Sequence, residues 1–280
     1  MSPLLATVST MFDCPWSSNQ LKNLSRHLRE RTEPPPNLPA YTEVMLWYNE
    51  VAAQVQKDIS ALDWTPLLGD RQWEITSRAK TIDTLRDKLQ RDKGTPLPSV
   101  QDVAGVRFEA EMSLDEQDAV ARTILGFYGH DENSLKDLRA TPHSGYRAVH
   151  LWLRLPVRVE VQVRTHMQGA WANAYEAAAD LIGRDIRYGV LPDGGMERTI
   201  VETLQYVSTN AISEAEEARN RMARGRLIAE DLERRGQFRS AEELRDTLDV
   251  TWNDYVRSEG EMKRQLVAIH DQFRTVREKG

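Results

Sequence analysis

The stretch VRVEVQVRT, positions 157–165, alternates strictly between valine and a polar side chain. Successive side chains of a β-strand point to opposite faces, so this period of two predicts a strand with one apolar face. The other face carries Glu160, Gln162 and Arg164, spaced about 6–7 Å apart along the strand. A carboxylate, an amide and a guanidinium in one row form either a solvated ion-pair row or the floor of a functional site.

Two further segments have strand patterns, and helical patterns surround all three. The predicted strands are VAGVRFEA (103–110), YRAVHLWLRL (146–155) and 157–165. The proline of RLPVR predicts a tight hairpin between the last two. Predicted helices cover about 19–32, 41–62, 70–92, 113–129 and a segment after Thr165. This order predicts an α+β fold, in which helices flank a mixed sheet and a long helical extension follows.

Helical spacing of apolar residues dominates the chain from about residue 195 and predicts a long helix with one apolar stripe. The stripe comprises Leu244, Leu248, Trp252, Tyr255, Met262, Leu266, Ile269 and Phe273. We therefore predict an N-terminal helical region (1–69), a core that contains the sheet (70–194) and a C-terminal helical extension (195–280). The extension is interpreted as a helical hairpin that packs on the core or on a partner.

Composition excludes several classes of protein. The net charge is -6, whereas a duplex-DNA binder usually has a basic footprint, so no DNA partner is expected. No apolar run approaches the ~20 residues that a membrane span requires. The start MSPLLATVSTMFDCPW lacks the pattern of a secretory signal peptide. Cys14 is the only cysteine, which fits a reducing cytoplasm.

Charged and aromatic residues concentrate in the predicted core. Asp102 stands at the start of one strand and Glu160 lies on another, while Lys80 and Lys88 share one side of a predicted helix. Tyr146 follows a glycine in a predicted loop. These residues suit a metal-assisted phosphoryl-type transfer, because Mg²⁺ is commonly held by one or two carboxylates plus substrate phosphates. The sequence has no P-loop and no GxGxxG loop, so side chains would have to hold the phosphates.

Four motifs, in this order, resemble the synthetase domain of the RelA/SpoT family: SRAK with DKL downstream, VQDVAGVRF, HSGYRAVHL, and VEVQVRT followed by Trp-Ala. The resemblance covers residues of about 70–190. It implies a nucleotidyltransferase-like fold and a 3′-pyrophosphotransferase, which moves pyrophosphate from ATP to a ribose 3′-hydroxyl and leaves AMP. No segment similar to the family's hydrolase domain precedes the motifs, which predicts a small synthetase.

The resemblance assigns roles on the ATP side of the reaction. Asp102 would ligate Mg²⁺, and Glu160 would share that ion or accept the proton of the 3′-hydroxyl. Four cationic residues would bind ATP: Arg78 and Arg107 on the adenine, and Lys80 and Lys88 on the phosphates. The two lysines are alternatively part of a solvated helix face.

On the acceptor side, the resemblance implies that Tyr146 stacks on the base of the acceptor. His150, Gln162 and Arg164 occupy motif positions and are also assigned to the acceptor. On the residue pattern alone, His150 is alternatively a hydrogen-bonded core histidine, and Trp171 is interpreted as packing.

Two departures from the family pattern fall on the acceptor side. The turn reads Pro142-His143-Ser144 where the family usually has a lysine, and Asn173-Ala174-Tyr175-Glu176 follows Trp-Ala where Glu-His is frequent. Some small relatives are toxins that pyrophosphorylate the 3′-CCA end of tRNA, so the departures favour such a toxin, bound by a neutralising antitoxin. Binding of tRNA requires a basic surface, and seven arginines are candidates for it. They are alternatively a solvated helix face: Arg184, Arg187, Arg198, Arg219, Arg221, Arg224 and Arg226.

Other functions stay open. The acceptor is alternatively GDP or GTP, which gives the alarmone (p)ppGpp, or an adenosine nucleotide. A catalytically inactive module that senses nucleotides or binds a partner is a further alternative, against which the presence of both Asp102 and Glu160 argues. A helical adaptor with a scaffold sheet is the last alternative, and the polar face of 157–165 argues against it.

Overall fold

The N-terminal helices form where the sequence predicts them. The computed structural model describes residues 13–279, except the side chains of Arg78 and Ala79. Helix α1, Ser18–Glu30, begins with a capping box, in which the Ser17 hydroxyl accepts from the backbone amide of Gln20. A proline-rich link leads to helix α2, Tyr41–Ser60, and the short helix α3 spans Thr65–Leu68.

Strand β1, Trp73–Ala79, and helix α4, Ile82–Arg91, replace the single helix that the sequence predicts at about 70–92. Strand β1 is hydrogen-bonded to a neighbouring strand at one edge of the sheet. The ring of Trp73 stacks on Phe108 of the neighbouring strand, with centroids 6.3 Å apart and planes inclined by 11°. The prediction was wrong here because pairing with the sheet overrides a local helical pattern.

The remaining strands agree with the predictions, apart from a short strand that has no predicted counterpart. They are β2 (Ala104–Ala110), the unpredicted β3 (Leu135–Asp137), β4 (Val149–Arg154) and β5 (Arg158–Thr165). Within the described residues, the strands form a five-stranded mixed sheet in the order β1-β2-β5-β4-β3. Strands β4 and β5 pair antiparallel, so that His150 lies opposite Gln162 and Trp152 opposite Glu160. The predicted hairpin is therefore confirmed.

Helices account for most of the remaining chain. They are α5 (Leu114–Phe127), α6 (His166–Ile182), α7 (Gly195–Tyr206), a π-helical segment (Val207–Ile212), α8 (Ser213–Arg234) and α9 (Phe238–Lys279). The C-terminal half of the predicted stripe on α9 is buried or half-buried against α6, where Leu266 and Phe273 join the apolar cluster around Trp171 and Tyr175. The extension thus contributes to a hydrophobic core.

The described residues form two compact units. The first comprises the chain as far as Glu109, together with Val120–Lys136 and Val149–Val163. The second comprises Ala110–Ala119, Asp137–Ala148 and the chain from Arg164 onwards. The three-part division that the sequence predicts stays a prediction.

The predicted fold class is confirmed, because a mixed sheet is flanked by helices and a long helix ends the chain. Among the helices of residues 13–279, none combines the length and the apolar character that a bilayer crossing requires. A cytoplasmic location stays a prediction.

Candidate functional site

The polar row on β5 is covered, although its alternating pattern is also typical of a strand with one solvated face. The side chains of Val159, Val161 and Val163 are fully buried, and Glu160 on the opposite face is only 8% exposed. Burying a carboxylate is costly unless partners hold it, so a solvated ion-pair row does not explain this residue.

Two partners hold the Glu160 carboxylate within the first unit. The side-chain amide of Gln162 donates to Glu160 Oε1 at 2.8 Å. His150 Nδ1, on the opposing strand, lies 3.4 Å from Glu160 Oε2. Burial raises the pKa of Glu160, but the hydrogen bond and charge of His150 outweigh it, so the pKa lies below its ordinary value. Glu160 is therefore a carboxylate, not a carboxylic acid, at neutral pH.

The second predicted acid, Asp102, lies in the turn just before β2 and is held by both predicted phosphate-binding lysines. Lys80 Nζ is 2.5 Å from Asp102 Oδ2, and Lys88 Nζ is 2.6 Å from Asp102 Oδ1. Burial raises the pKa of Asp102, but the two ammonium groups lower it by a larger amount, so that the pKa is about 2. The structure thus brings together three of the predicted residues, although Lys80 lies before α4 and only Lys88 on it.

The two acids lie within electrostatic reach of each other, because the charge of Asp102 raises the pKa of Glu160 against the lowering effect of His150. In the part of the chain that the structure describes, no group of three or more His, Cys, Asp or Glu side chains is arranged to hold a metal ion. A pair of ionised carboxylates is nevertheless a hard-oxygen donor set that fits Mg²⁺, which takes its other ligands from water and phosphate.

We expect the Lys80–Asp102–Lys88 cluster to make the free energy of unfolding depend on pH in the acidic range. A carboxyl whose pKa is lowered in the folded state stabilises the protein above its unfolded pKa, near 3.8, and this contribution disappears as the pH falls through about 2. The free energy of unfolding should therefore fall more steeply below about pH 4 in the natural protein than in Asp102→Asn, by up to about 2 kcal/mol. Urea unfolding at a series of pH values measures the difference. A difference between the two proteins that stays constant with pH contradicts this prediction.

The arginines that the family resemblance assigns to adenine lie on neighbouring strands, Arg78 on β1 and Arg107 on β2. Arg107 is half-buried, and the side chain of Arg78 lies outside the described part of the structure. Their adenine-binding role stays a prediction.

The acceptor-side pair, Tyr146 and Arg164, meets in the second unit. Arg164 donates to the Tyr146 hydroxyl from Nη2 at 2.7 Å and from Nε at 3.2 Å. Its guanidinium carbon also lies 5.0 Å from the centre of the tyrosine ring. Arg164 is only 3% exposed, so this contact fixes the orientation of the ring. His150 and Gln162, the other predicted acceptor residues, instead surround Glu160 in the first unit.

A buried polar cluster next to this pair was missed by the sequence analysis. Glu216 is 2% exposed and accepts hydrogen bonds from Arg147 and Thr165, both at 2.5 Å. Its local sequence, SEAEEARNR, is typical of a solvated helix. The available signal was helical spacing, since Ile212, Glu216 and Arg219 lie at intervals of four and three residues on the buried side of the helix.

A family model described as the region found in RelA/SpoT proteins matches residues 77–181. Residues 77–181 therefore match the region that RelA/SpoT proteins share, and are called the RelA/SpoT region below. All of the predicted site residues lie inside this RelA/SpoT region, from Arg78 to Arg164, whereas Glu216 lies outside it.

Relatives of the RelA/SpoT region extend the likeness. Uncharacterized proteins of Mycobacterium tuberculosis, Rv1366, and Mycobacterium bovis, Mb1401, are each 47% identical over 180 residues. The alignment covers 64% of this chain and 64% of each relative, so the chain spans less than two thirds of their length. The small alarmone synthetase 2 of Bacillus subtilis shares the fold, with a TM-score of 0.50 and 20% identity over 63% of this chain and 94% of that one.

Proposed function

We propose that the protein transfers pyrophosphate from ATP to a ribose 3′-hydroxyl. The observation that carries the proposal is the pair of ionised acids, Asp102 and Glu160, with Lys80 and Lys88 bound to the first of them. Together they supply the negative and positive charges that phosphoryl-type transfer requires, because its catalysis is mainly positioning and charge neutralisation.

The proposed reaction breaks one bond of ATP and forms one bond to the acceptor. The 3′-oxygen of the acceptor attacks the β-phosphorus, the bond from this phosphorus to the α,β-bridging oxygen breaks, and AMP leaves. Glu160 takes the proton of the hydroxyl, and its lowered pKa keeps it in the required basic form at neutral pH. Its hydrogen bond from Gln162 and its contact with His150 fix the direction of the accepting oxygens.

Mg²⁺ is proposed as the cofactor, and when bound it supplies charge neutralisation to the phosphates. Asp102 and Glu160 are the residues that would hold it. Lys80 and Lys88 would then turn from Asp102 to the phosphates, where an ammonium group is a suitable partner. The lysines are long and flexible, so this exchange requires no movement of the strands.

The nucleotide bases require flat partners. Arg78 and Arg107 are proposed to bind the adenine of ATP, since a planar guanidinium stacks on aromatic faces. Tyr146 is proposed to stack on the base of the acceptor, with its ring held by Arg164.

The 3′-CCA end of tRNA is the acceptor that we propose first, because the turn before Tyr146 departs from the alarmone-synthetase pattern at Pro142-His143-Ser144. In that case the protein is a toxin, and a neutralising antitoxin is the proposed partner. Expression without such a partner should then arrest growth.

Guanosine nucleotides are the second candidate acceptor, and the arginine surface favours them. Each of the seven arginines considered for tRNA binding has a carboxylate partner, at distances between 2.6 and 3.9 Å. Paired arginines offer little net positive charge to a nucleic-acid backbone.

A labelling assay tests the reaction and its acceptor. ATP labelled at the γ-phosphate is offered with Mg²⁺ and, in separate reactions, deacylated tRNA, GDP, GTP or ADP. We expect label in tRNA, one AMP released for each pyrophosphate transferred, and no label when the tRNA ends in a 3′-deoxynucleotide. Label in guanosine nucleotides alone would assign the second acceptor. Binding of ATP without labelling of any acceptor would overturn the proposed reaction and leave a nucleotide-sensing module.

A further inference from the structure

The turn that presents Tyr146 has an unusual backbone. Ser144 and Gly145 both adopt positive φ angles, of 52° and 83°, and the Tyr146 amide donates to the His143 carbonyl at 2.9 Å. A β-carbon built on Gly145 would lie 2.8 Å from the ring of Trp171, so no side chain fits at this position. The turn therefore has one tightly defined conformation, which its surroundings must maintain.

Two residues of the C-terminal extension hold this turn. The Ser208 hydroxyl donates to the Gly145 carbonyl at 2.5 Å, and Arg147 Nη1 donates to Glu216 Oε2 at 2.5 Å. Ser208, Arg147 and Glu216 are all at most 4% exposed. Ser208 lies in the π-helical segment Val207–Ile212, a rare conformation that is frequent at functional sites.

Glu216 also fixes the other half of the acceptor-side pair. Its Oε1 accepts from the hydroxyl of Thr165, the residue that follows Arg164 and caps helix α6. Its Oε2 binds Arg147, the residue that follows Tyr146. A single carboxylate therefore ties together the backbone neighbours of both members of the Tyr146–Arg164 pair.

We propose that Ser208 and Glu216 are positioning residues, which set the spacing and orientation of Tyr146 and Arg164 and thereby the fit of the acceptor's base. Both lie outside the RelA/SpoT region, so the extension contributes directly to the acceptor side. The kinetic part of this inference rests on the proposed function, whereas its structural part does not.

The energetics of the cluster agree with a positioning role. A buried ion pair such as Arg147–Glu216 stabilises a fold little beyond what an apolar pair of the same volume provides, because both charges lose their hydration. What the ion pair adds is directionality, since the carboxylate accepts only along defined hydrogen-bond directions.

Hydrogen exchange tests the structural part without any turnover. In Glu216→Gln the amide keeps an acceptor for Thr165 but loses the charge that holds Arg147. We expect the backbone amides of residues 143–147 to exchange about tenfold faster, while those of β2 and β4 are unchanged. Glu217→Gln, a change of the exposed neighbour on the same helix, is the matched control and should leave exchange unaltered. Equal protection of the turn in Glu216→Gln and in the control overturns the inference.

Steady-state kinetics tests the consequence for the acceptor. Glu216→Gln and Ser208→Ala should each raise KM for the acceptor about tenfold, and we expect the same of Tyr146→Ala, with the affinity for a non-hydrolysable ATP analogue unchanged. An unaltered KM for the acceptor contradicts the inference even if the proposed reaction is confirmed. If no acceptor is labelled by the natural protein, the proposed function fails, and the exchange experiment still decides the positioning role.

A double variant separates positioning from stability. Arg147→Met with Glu216→Leu replaces the ion pair by apolar side chains of similar size and should restore the free energy of unfolding. We expect the acceptor KM and the exchange of residues 143–147 to stay impaired. If the acceptor KM and the exchange of residues 143–147 recover together with the free energy of unfolding, the contact is merely structural and the inference is overturned.

Discussion

Replacement of Glu160 by glutamine, Glu160→Gln, should lower the rate of AMP release by about 10²–10⁴-fold, the usual contribution of a general base. The amide has the shape of the carboxylate and keeps an oxygen for the Gln162 donor, but it neither takes a proton nor balances a cation at neutral pH. Because Lys80, Lys88 and Asp102 are untouched, the affinity for ATP should change little. AMP release and titration with a non-hydrolysable ATP analogue measure the two effects separately.

Glu74→Gln is the matched control for this experiment. Glu74 is the same residue type on strand β1 of the first unit, but its side chain is exposed. The control should turn over at the natural rate. If Glu160→Gln retains turnover within a few fold of this control, the proposed role of Glu160 is wrong, and another group must accept the hydroxyl proton.

The largest expected loss of stability follows from Trp171→Ala, at about 3–5 kcal/mol. Trp171 is 1% exposed, stacks on Tyr175 with ring centroids 4.7 Å apart, and donates from its indole nitrogen to the Leu204 carbonyl at 2.6 Å. Alanine leaves a cavity in this cluster and removes the hydrogen bond from the indole to the Leu204 carbonyl. Urea unfolding should give a lower midpoint with an unchanged slope.

Trp152→Ala is the control for this prediction, because Trp152 is 40% exposed on strand β4. Its contact with Lys136, whose ammonium group lies 5.2 Å from the ring centre, is a surface cation–π pair. The control should lose no more than about 1 kcal/mol. An equal loss in both variants would mean that Trp171 does not organise the core of the second unit. Trp171→Phe keeps a ring but removes the indole donor, so its loss of unfolding free energy should lie between those of Trp171→Ala and Trp152→Ala.

The central strands and the position of Glu160 on one of them could be predicted from the sequence because their signals are local. The valine alternation of 157–165 fixes both the strand and the face that carries Glu160. The family resemblance then assigned Asp102 and Glu160 to one site, which stays a prediction, and in the structure the charge of Asp102 raises the pKa of Glu160. What the pattern left open was whether the polar face is solvated, since burial depends on elements that are distant in sequence.

Strand β1 could not be predicted in the same way. Its sequence, WEITSRA, runs into a strongly helical segment, and only the contact of Trp73 with Phe108 and the pairing with the sheet identify it as a strand. The expectation that Lys80 and Lys88 lie on the same side nevertheless agrees with the structure, because both contact Asp102. They do not share one helix, since Lys80 lies in the link before α4 and Lys88 lies on α4.

Glu216 was missed for a similar physical reason. A glutamate among other charged residues on a helix is most often solvated. Its partners Arg147 and Thr165 lie 69 and 51 positions away along the chain, so the helical spacing with Ile212 and Arg219 was a local signal for burial but gave no indication of these partners.

The burial of both faces of β5 restricts how the length of the chain can vary during evolution. The pairing of β4 with β5 places Leu155, Pro156 and Val157 in the connection between them. If one residue were added or removed there and the strand pairing took up the change, β5 would slide by a single position, and the valines would exchange faces with Glu160 and Gln162. A shift by two positions would keep the faces but would move Glu160 about 6–7 Å along the strand, away from His150. Length changes that keep this contact must therefore be absorbed by the loop itself or lie outside the hairpin.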